Sequence, residues 1–250
     1  MSVSYQALLL AAGEGTRLRP LTLSTPKCLV PILGHSLLSY WLELLHRGPE
    51  PSTIWVNCSY LSEQVGNYLA KAAQRYPRAN IAQFFEPELL GTAGTVRALM
   101  GKFNPSQSLL LVHADNLSWF DLGAFLWAHQ SRPKGTEMTM MTFCTDSPQT
   151  CGIVELDQNG AVRQFYEKDP GAPGNLANGA VYLISPEGLE RIRSLGEVTE
   201  FSTQVIPAFM GKIHCWQNTT YHRDIGNPDS YRLAQSEFQS ILTKFNLFTE

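Results

Sequence analysis

The chain has 250 residues, 44% of them hydrophobic and only 16% charged, which is enough apolar content for a sizeable core and excludes global disorder. Nineteen Lys and Arg against 22 Asp and Glu give a net charge of −3, so nothing draws the whole molecule to nucleic acid, and any polyanionic ligand must be held by a local basic cluster. The five cysteines (28, 58, 144, 151 and 215) are scattered and form no C-x-x-C, which argues against a disulfide framework or a zinc site and fits a reducing, cytoplasmic setting.

At the start of the chain, residues 1–12 lack the basic opening and long apolar stretch of a secretory signal. The longest apolar runs, Ala7–Ala12 and Leu109–Val112, are too short to span a bilayer, so no membrane association is expected. Gln6–Ala11 is an apolar run that stops at Gly13 and reads as a buried strand. Ser36–Arg47 reads as a helix with Ser36 as N-cap, Leu37, Leu38, Trp41, Leu42 and Leu45 on one face, and Gly48 at its end. Thr53–Cys58, Ile81–Phe85 and Leu109–Ala114 follow as strands, alternating with helices over Ser62–Arg75, Ala93–Gly101 and Asp121–Gln130. This β-α rhythm predicts an α/β fold with a mostly parallel central sheet covered on both faces.

Later the pattern changes. Met138–Phe143, Ile153–Leu156, Val162–Phe165 and Ala180–Ile184 read as strands joined by short polar turns such as Asp157-Gln158-Asn159-Gly160, an antiparallel or mixed extension of the same sheet. Helices are expected over Pro186–Leu195, Thr203–Met210 and Pro228–Phe245. Residues 169–174 form a Pro/Gly-rich surface loop, and no linker divides the chain. One domain is expected over residues 1–250, with halves of about 1–130 and 131–228 and a C-terminal helix of about 228–245.

The most informative segment runs Leu8-Leu9-Leu10-Ala11-Ala12-Gly13-Glu14-Gly15-Thr16-Arg17-Leu18-Arg19-Pro20-Leu21-Thr22 and on to Pro26-Lys27. A glycine-rich turn directly after a buried strand lets backbone N–H groups approach phosphate oxygens at the sheet edge where ligands of α/β proteins bind. Arg17, Arg19 and Lys27 against Glu14 give the segment a local charge of +2. Pro20 and Pro26 prevent a continuous helix, so the loop can fold back and bring Arg17 and Lys27 together. On Gly13-x-Gly15 alone, an ordinary strand-to-loop connection explains the residues equally well. A dinucleotide fingerprint would need glycine where Leu18 stands, and no G-K-[ST] marks a Walker loop.

Taken whole, however, the string resembles the G-x-G-T-R-L-x-P-L-T-x-x-x-P-K signature of the sugar-1-phosphate nucleotidyltransferases. The resemblance implies a dinucleotide-binding-like, three-layer α/β core with an inserted sugar-binding portion. It also implies the reaction NTP + sugar 1-phosphate → NDP-sugar + pyrophosphate. It assigns Ala11, Ala12, Gly13, Gly15, Thr16 and Arg17 to the nucleotide, with Arg17 and Lys27 as the catalytic cations.

Further motifs continue the likeness in order. Asp115 closes the apolar run Leu109–Ala114 and so lies on the same sheet edge as Gly13, although a turn cap would also place an acid there. The resemblance makes it a magnesium ligand, with Ala114 in place of the usual glycine. Asp224, in Asp224-Ile225-Gly226-Asn227-Pro228, is similar to the D-I-G-T-P stretch that supplies the second ligand; Asn227 replaces threonine. Leu90-Gly91-Thr92-Ala93-Gly94 resembles the base-recognition loop in its guanylyltransferase form, which assigns Gly91, Thr92 and Gly94 to the nucleotide and favours GTP; Thr92 could equally be a helix N-cap. Glu167-Lys168 taken alone is an ordinary surface pair, and Asn178-Gly179 a turn or strand start. The resemblance gives Gly152, Glu167, Lys168 and Asn178 to the sugar phosphate, and Glu200 lies near a further family acid.

The expected protein is therefore a cytoplasmic, magnesium-dependent transferase, a monomer or small homo-oligomer that binds neither nucleic acid nor membrane. It would use GTP and mannose 1-phosphate or a manno-heptose 1-phosphate. The alternatives are a thymidylyl- or uridylyltransferase on glucose 1-phosphate or another sugar 1-phosphate, and a non-catalytic regulatory relative that binds nucleotide-sugars.

Overall fold

The computed structural model describes residues 4–248. Strand β1 (Tyr5–Leu10) is buried at all six positions, as a strand covered on both faces must be. It is followed by β2 (Pro31–Ile32), β3 (His35–Ser36), β4 (Ile54–Cys58), β5 (Ile81–Phe85), β6 (Ser108–His113) and β7 (Asn116–Trp119). The later strands are β8 (Met138–Cys144), β9 (Gly152–Leu156), β10 (Val162–Glu167), β11 (Leu176–Ile184), β12 (Ile213–Gln217) and β13 (Tyr221–Asp224). Helices α1 (Leu37–Arg47), α2 (Ser62–Arg75), α3 (Thr92–Leu99), α4 (Leu122–Gln130), α5 (Pro186–Ser194), α6 (Ile206–Ala208) and α7 (Pro228–Lys244) complete the order.

The large sheet runs β10-β9-β11-β6-β1-β4-β5, with β8 and β12 joined through β11. The expected class, α/β with a large, mostly parallel central sheet and an antiparallel or mixed addition, is what the chain adopts. β4 and β5 pair in parallel, whereas β11 is antiparallel to β6, β8 and β9. The chain divides into two compact units.

One unit comprises residues 9–89, 113–122 and 220–250. In it α1 begins as expected, with the Ser36 hydroxyl accepting from the Ser39 amide and Gly48 as C-cap. Leu38, Trp41, Leu42 and Leu45 are buried, each contributing about 1.5–3 kcal/mol of apolar burial. Glu43 is also buried; Arg47 at 2.6 Å and the Tyr76 hydroxyl at 2.9 Å satisfy its carboxylate. Short strands β7 and β13 pair antiparallel with Asp224 opposite Asn116 and His222 opposite Ser118.

The other unit comprises residues 1–8, 90–112 and 123–219. It carries β8–β12, a core that includes Met138, Met140, Ile153, Val181, Leu183 and Ile213, and helices α3 and α5. Here the helix expected over Thr203–Met210 is replaced by a π-helical turn, Phe201–Val205, running into the short α6. Pro207 has no amide to continue an α-helical ladder, and the Gln204 side chain turns back to accept from the Thr199 and Glu200 amides. Strands β2, β3, β7, β12 and β13 were not among those expected from the sequence.

Candidate active site

Beyond β1 the chain turns at Gly13 and Gly15. Gly15 is left-handed, with φ of 64°, and an added Cβ would lie 2.9 Å from Lys27 Cβ and 3.0 Å from Thr22 Cγ2. Only glycine lets the loop fold down onto Lys27 here. Its carbonyl accepts from the Leu18 amide at 2.9 Å and the Thr22 hydroxyl at 2.8 Å, so the loop closes on itself. An added Cβ at Gly13 would meet nothing within 4 Å, so the protein's own packing does not require glycine there.

Pro26 delivers Lys27 into a 3-10 turn, where it is only 5% exposed. Its ammonium is 2.6 Å from Asp115 Oδ2 and 3.8 Å from Asp224 Oδ1. A buried cation requires such partners. Burial works against charge on Asp115, but the Lys27 ammonium, then His113 and the Lys27 hydrogen bond, outweigh it and hold the carboxyl below its usual range. The second carboxylate arrives through the β7·β13 ladder, whose register sets Asp224 opposite Asn116, the residue after Asp115. Arg223 anchors β13 to α7 by two hydrogen bonds to Glu237, at 2.8 and 2.6 Å. At Gly226 an added Cβ would lie 2.5 Å from Asp224 Oδ2 and 3.2 Å from Arg17 Nη2, so this glycine clears space for both side chains. Asn227 caps α7, accepting from the Asp229 and Ser230 amides. Gly15, Arg17, Lys27, Asp115 and Asp224 thus gather within one unit.

The same unit holds a relay that the sequence reading missed. The Ala11 amide donates to Asn57 Oδ1 at 2.6 Å, and Asn57 Nδ2 donates to Glu86 Oε1 at 2.9 Å. Asn57 is 3% and Glu86 1% exposed, so the segment entering the glycine turn hangs on two buried polar side chains. The available signal was a polar residue, Asn57, near the end of an otherwise apolar strand, the pattern that also marks Asp115.

In the other unit, Gly91 has φ of 78°, and an added Cβ would lie 2.5 Å from the Thr199 carbonyl oxygen. That carbonyl accepts from the Ala93 amide at 2.8 Å and the Gly94 amide at 3.3 Å. Thr92 is not the N-cap; Gly91 is. With the first-turn amides already held by Thr199, the Thr92 hydroxyl is free to accept from the Phe201 amide at 2.7 Å and lies 3.4 Å from Glu200 Oε2.

Gly152 and Glu167 are directly opposite in the β9·β10 ladder, and an added Cβ on Gly152 would collide with the Phe165 ring at 2.4 Å. Lys168 is left-handed with φ of 50°, its amide donates to the Cys151 carbonyl at 3.1 Å, and its Nζ lies 3.9 Å from Glu167 Oε1. Asn178 lies inside β11 rather than at its start, before the register shift that separates it from Tyr182. It donates to the Tyr182 hydroxyl at 2.7 Å and accepts from the Ala180 amide at 2.9 Å. Gly152, Glu167 and Lys168 thus form one cluster and Asn178 stands with Tyr182.

A structure titled as UDP-glucose pyrophosphorylase complexed with UDP-glucose superposes with a TM-score of 0.76 at 16% identity, covering 96% of this chain and all of that one, which shows a shared fold. The mannose-1-phosphate guanylyltransferase catalytic subunit beta of Drosophila pseudoobscura pseudoobscura is 30% identical over 241 residues, 95% of this chain and 63% of the relative. Its Dictyostelium discoideum counterpart is 29% identical over 230 residues, 90% of this chain and 62% of the relative. The chain thus spans less than two thirds of the length of these curated relatives. The nucleotidyl transferase family matches residues 6–240, a span that takes in the glycine turn, the buried lysine and both carboxylates, and the chain belongs to that family.

Proposed function

We propose that the protein is a sugar-1-phosphate nucleotidyltransferase, which forms an NDP-sugar and pyrophosphate from an NTP and a sugar 1-phosphate. The observation that carries this reading is the convergence of Asp115 and Asp224 on the buried Lys27 ammonium, against the glycine turn. In this reaction an oxygen of the sugar phosphate attacks the α-phosphorus, the bond from that phosphorus to the bridging oxygen of the β-phosphate breaks, and pyrophosphate leaves with the electron pair. The substrate is its own nucleophile, so no side chain need be one. The obstacle is repulsion, since two like unit charges 4 Å apart cost about 4 kcal/mol at an effective dielectric of 20. Lys27 and Arg17 supply positive charge, and the Ala12–Thr16 backbone supplies N–H donors for phosphate oxygens, the Ala11 amide being held by Asn57.

Asp115 and Asp224 are hard oxygen donors reaching one cationic point, a donor set that suits magnesium. Bound there, magnesium would neutralise phosphate charge and orient the α-phosphate. Lys168 would orient the acceptor phosphate, with Glu167, Asn178 and the backbone at Gly152 directed to the sugar. Gly91, Thr92 and Gly94 would meet the base. GTP with mannose 1-phosphate or a manno-heptose 1-phosphate is the favoured pair, supported by the Leu90–Gly94 motif and by relatives named for mannose-1-phosphate guanylyl transfer. We place the protein in the cytoplasm as a monomer or small homo-oligomer; among the described residues no helix is long and apolar enough to cross a membrane.

Pyrophosphate release across four NTPs crossed with a panel of sugar 1-phosphates, with and without magnesium, tests the reading. The highest rate is expected with GTP and a manno-configured sugar phosphate in magnesium. Absence of release with every pair would overturn the proposed activity.

A further inference from the structure

A second basic cavity lies away from Lys27 in the same unit. About 270 Å³ in volume, it is lined by His35 and the hydroxyl-bearing Ser36, Ser39 and Tyr68, by Lys71 and Arg75 of α2, and by Tyr76 and Phe248. Lys71 and Arg75 are one turn apart on the same helix, where like charges repel. Both are exposed, and among the described residues neither has a carboxylate within ion-pair distance. The nearby acids are engaged elsewhere: Glu43 with Arg47 and Tyr76, Glu50 with His46 and Arg78.

The remaining walls suit the body of an organic anion. The Phe248 ring stacks on His35 with centroids 3.9 Å apart, and the Arg75 guanidinium lies 5.5 Å from the Phe248 centroid and 5.6 Å from that of Tyr76. Tyr68 hydrogen-bonds Ser36 and Ser39, so three hydroxyls are clustered beside the two cations. Burial, and then the Arg75 charge, hold His35 below its usual pKa, which leaves the imidazole neutral and the two α2 side chains as the cations of the cavity.

We propose that this cavity is a second ligand site, taking a phosphate monoester whose dianion sits between Lys71 and Arg75 and whose organic body lies against Tyr76 and the His35–Phe248 stack. A phosphate oxygen pair suits the planar guanidinium fork, with the Lys71 ammonium as a point charge beside it. The cavity has a short connection to Lys27: Pro31 pairs with Ser36 in the β2·β3 hairpin, the Leu37 amide donates to the Val30 carbonyl, and the Val30 amide donates to the Lys27 carbonyl.

Isothermal titration with phenyl phosphate, which has no sugar or triphosphate, tests the site. The wild-type chain, Lys27→Ala and the double variant Lys71→Gln/Arg75→Gln are compared, with circular dichroism confirming that each is folded. The expected result is saturable 1:1 binding at about 1 mM or tighter, retained in Lys27→Ala and weakened at least about tenfold in the double variant. Phenol is the uncharged control and should not bind. Phenyl phosphate is expected to bind more tightly than inorganic phosphate, because its ring adds contact with the aromatic walls; equal affinities would overturn the ester as the ligand. No saturable binding to the wild type, or binding unchanged in the double variant, overturns the site. Because neither Lys71 nor Arg75 takes part in the proposed reaction, the response of the double variant is independent of whether the proposed activity holds.

Discussion

Asn57 donates a 2.9 Å hydrogen bond to Glu86 while accepting one from the Ala11 amide, so a buried carboxylate fixes the backbone entering the glycine turn through one intervening side chain. Removing the middle of this relay strands a main-chain donor and weakens the hold on a carboxylate that is only 1% exposed. Each buried group left unsatisfied costs about 1–3 kcal/mol, more for a charged one, so Asn57→Ala should destabilise the fold by about 3 kcal/mol. Asn57→Asp should be at least as damaging, because it sets a second carboxylate against Glu86. Urea denaturation of the variants measures this; a loss below about 0.5 kcal/mol in Asn57→Ala would show that the relay carries no weight.

The two glycines of the turn should separate stability from binding. Gly15→Ala forces a side chain into a left-handed residue and to within 2.9 Å of Lys27 Cβ. The conformation alone costs about 1–2 kcal/mol, and overpacking adds to it. Gly13→Ala meets nothing and should leave stability within about 0.5 kcal/mol of wild type. If the turn holds phosphates, Gly13→Ala should still raise the KM for the NTP by about tenfold, since a methyl group then occupies the line of approach. Thermal denaturation together with steady-state kinetics tests the pair, and equal effects of the two substitutions on stability would contradict it.

Lys27→Ala removes the cation shared by Asp115 and Asp224. Where buried, preorganised charge stabilises a transition state, loss of one donor lowers turnover by about 100- to 1000-fold. Lys27→Ala should show at least that loss while keeping its circular dichroism spectrum, and Asp115→Asn should behave likewise. Near-normal pyrophosphate release in either variant would remove the residue from the reaction.

Different parts of this molecule were legible to different degrees. The buried strands β1, β4 and β6 announce themselves as apolar runs, and Ser36 and Gly48 mark the ends of α1, because local burial and capping leave local patterns. Arg17, Lys27, Asp115 and Asp224 could be named from motifs and from a carboxylate at a strand end. How Asp224 reaches Lys27 could not, because that depends on a β7·β13 register joining residues about a hundred positions apart through two four-residue strands without a clean alternation. The Asn57–Glu86 bond is hidden because it joins side chains 29 positions apart across the parallel β4·β5 pair, whose register no local pattern shows. Thr92 shows the converse limit: a favoured capping residue at a helix start left the N-cap open as an alternative, but the Thr199 carbonyl holds the first-turn amides and Gly91 is the cap.

Acid sensitivity should trace in part to one buried histidine. His129 is 1% exposed, with Nε2 3.2 Å from the Ser108 hydroxyl and Nδ1 2.9 Å from the Thr139 hydroxyl. Burial, then the charges of Arg132 and His214, push its pKa from 6.5 down to about 3. Between these values the folded chain keeps the ring neutral while the unfolded chain takes up a proton. The unfolded state therefore binds more protons, and stability falls as pH drops through this window, by up to about 1.4 kcal/mol per pH unit for one group. His129→Gln removes the titration, so its stability between pH 6.5 and 4.5 should fall less steeply than that of wild type, even though it starts lower at pH 7 because a hydroxyl partner is lost. The other carboxylates and histidines are common to both chains, so the difference in slope isolates His129. Urea midpoints across this range give the comparison, and parallel profiles for the two chains would show that His129 is not held neutral in the folded state.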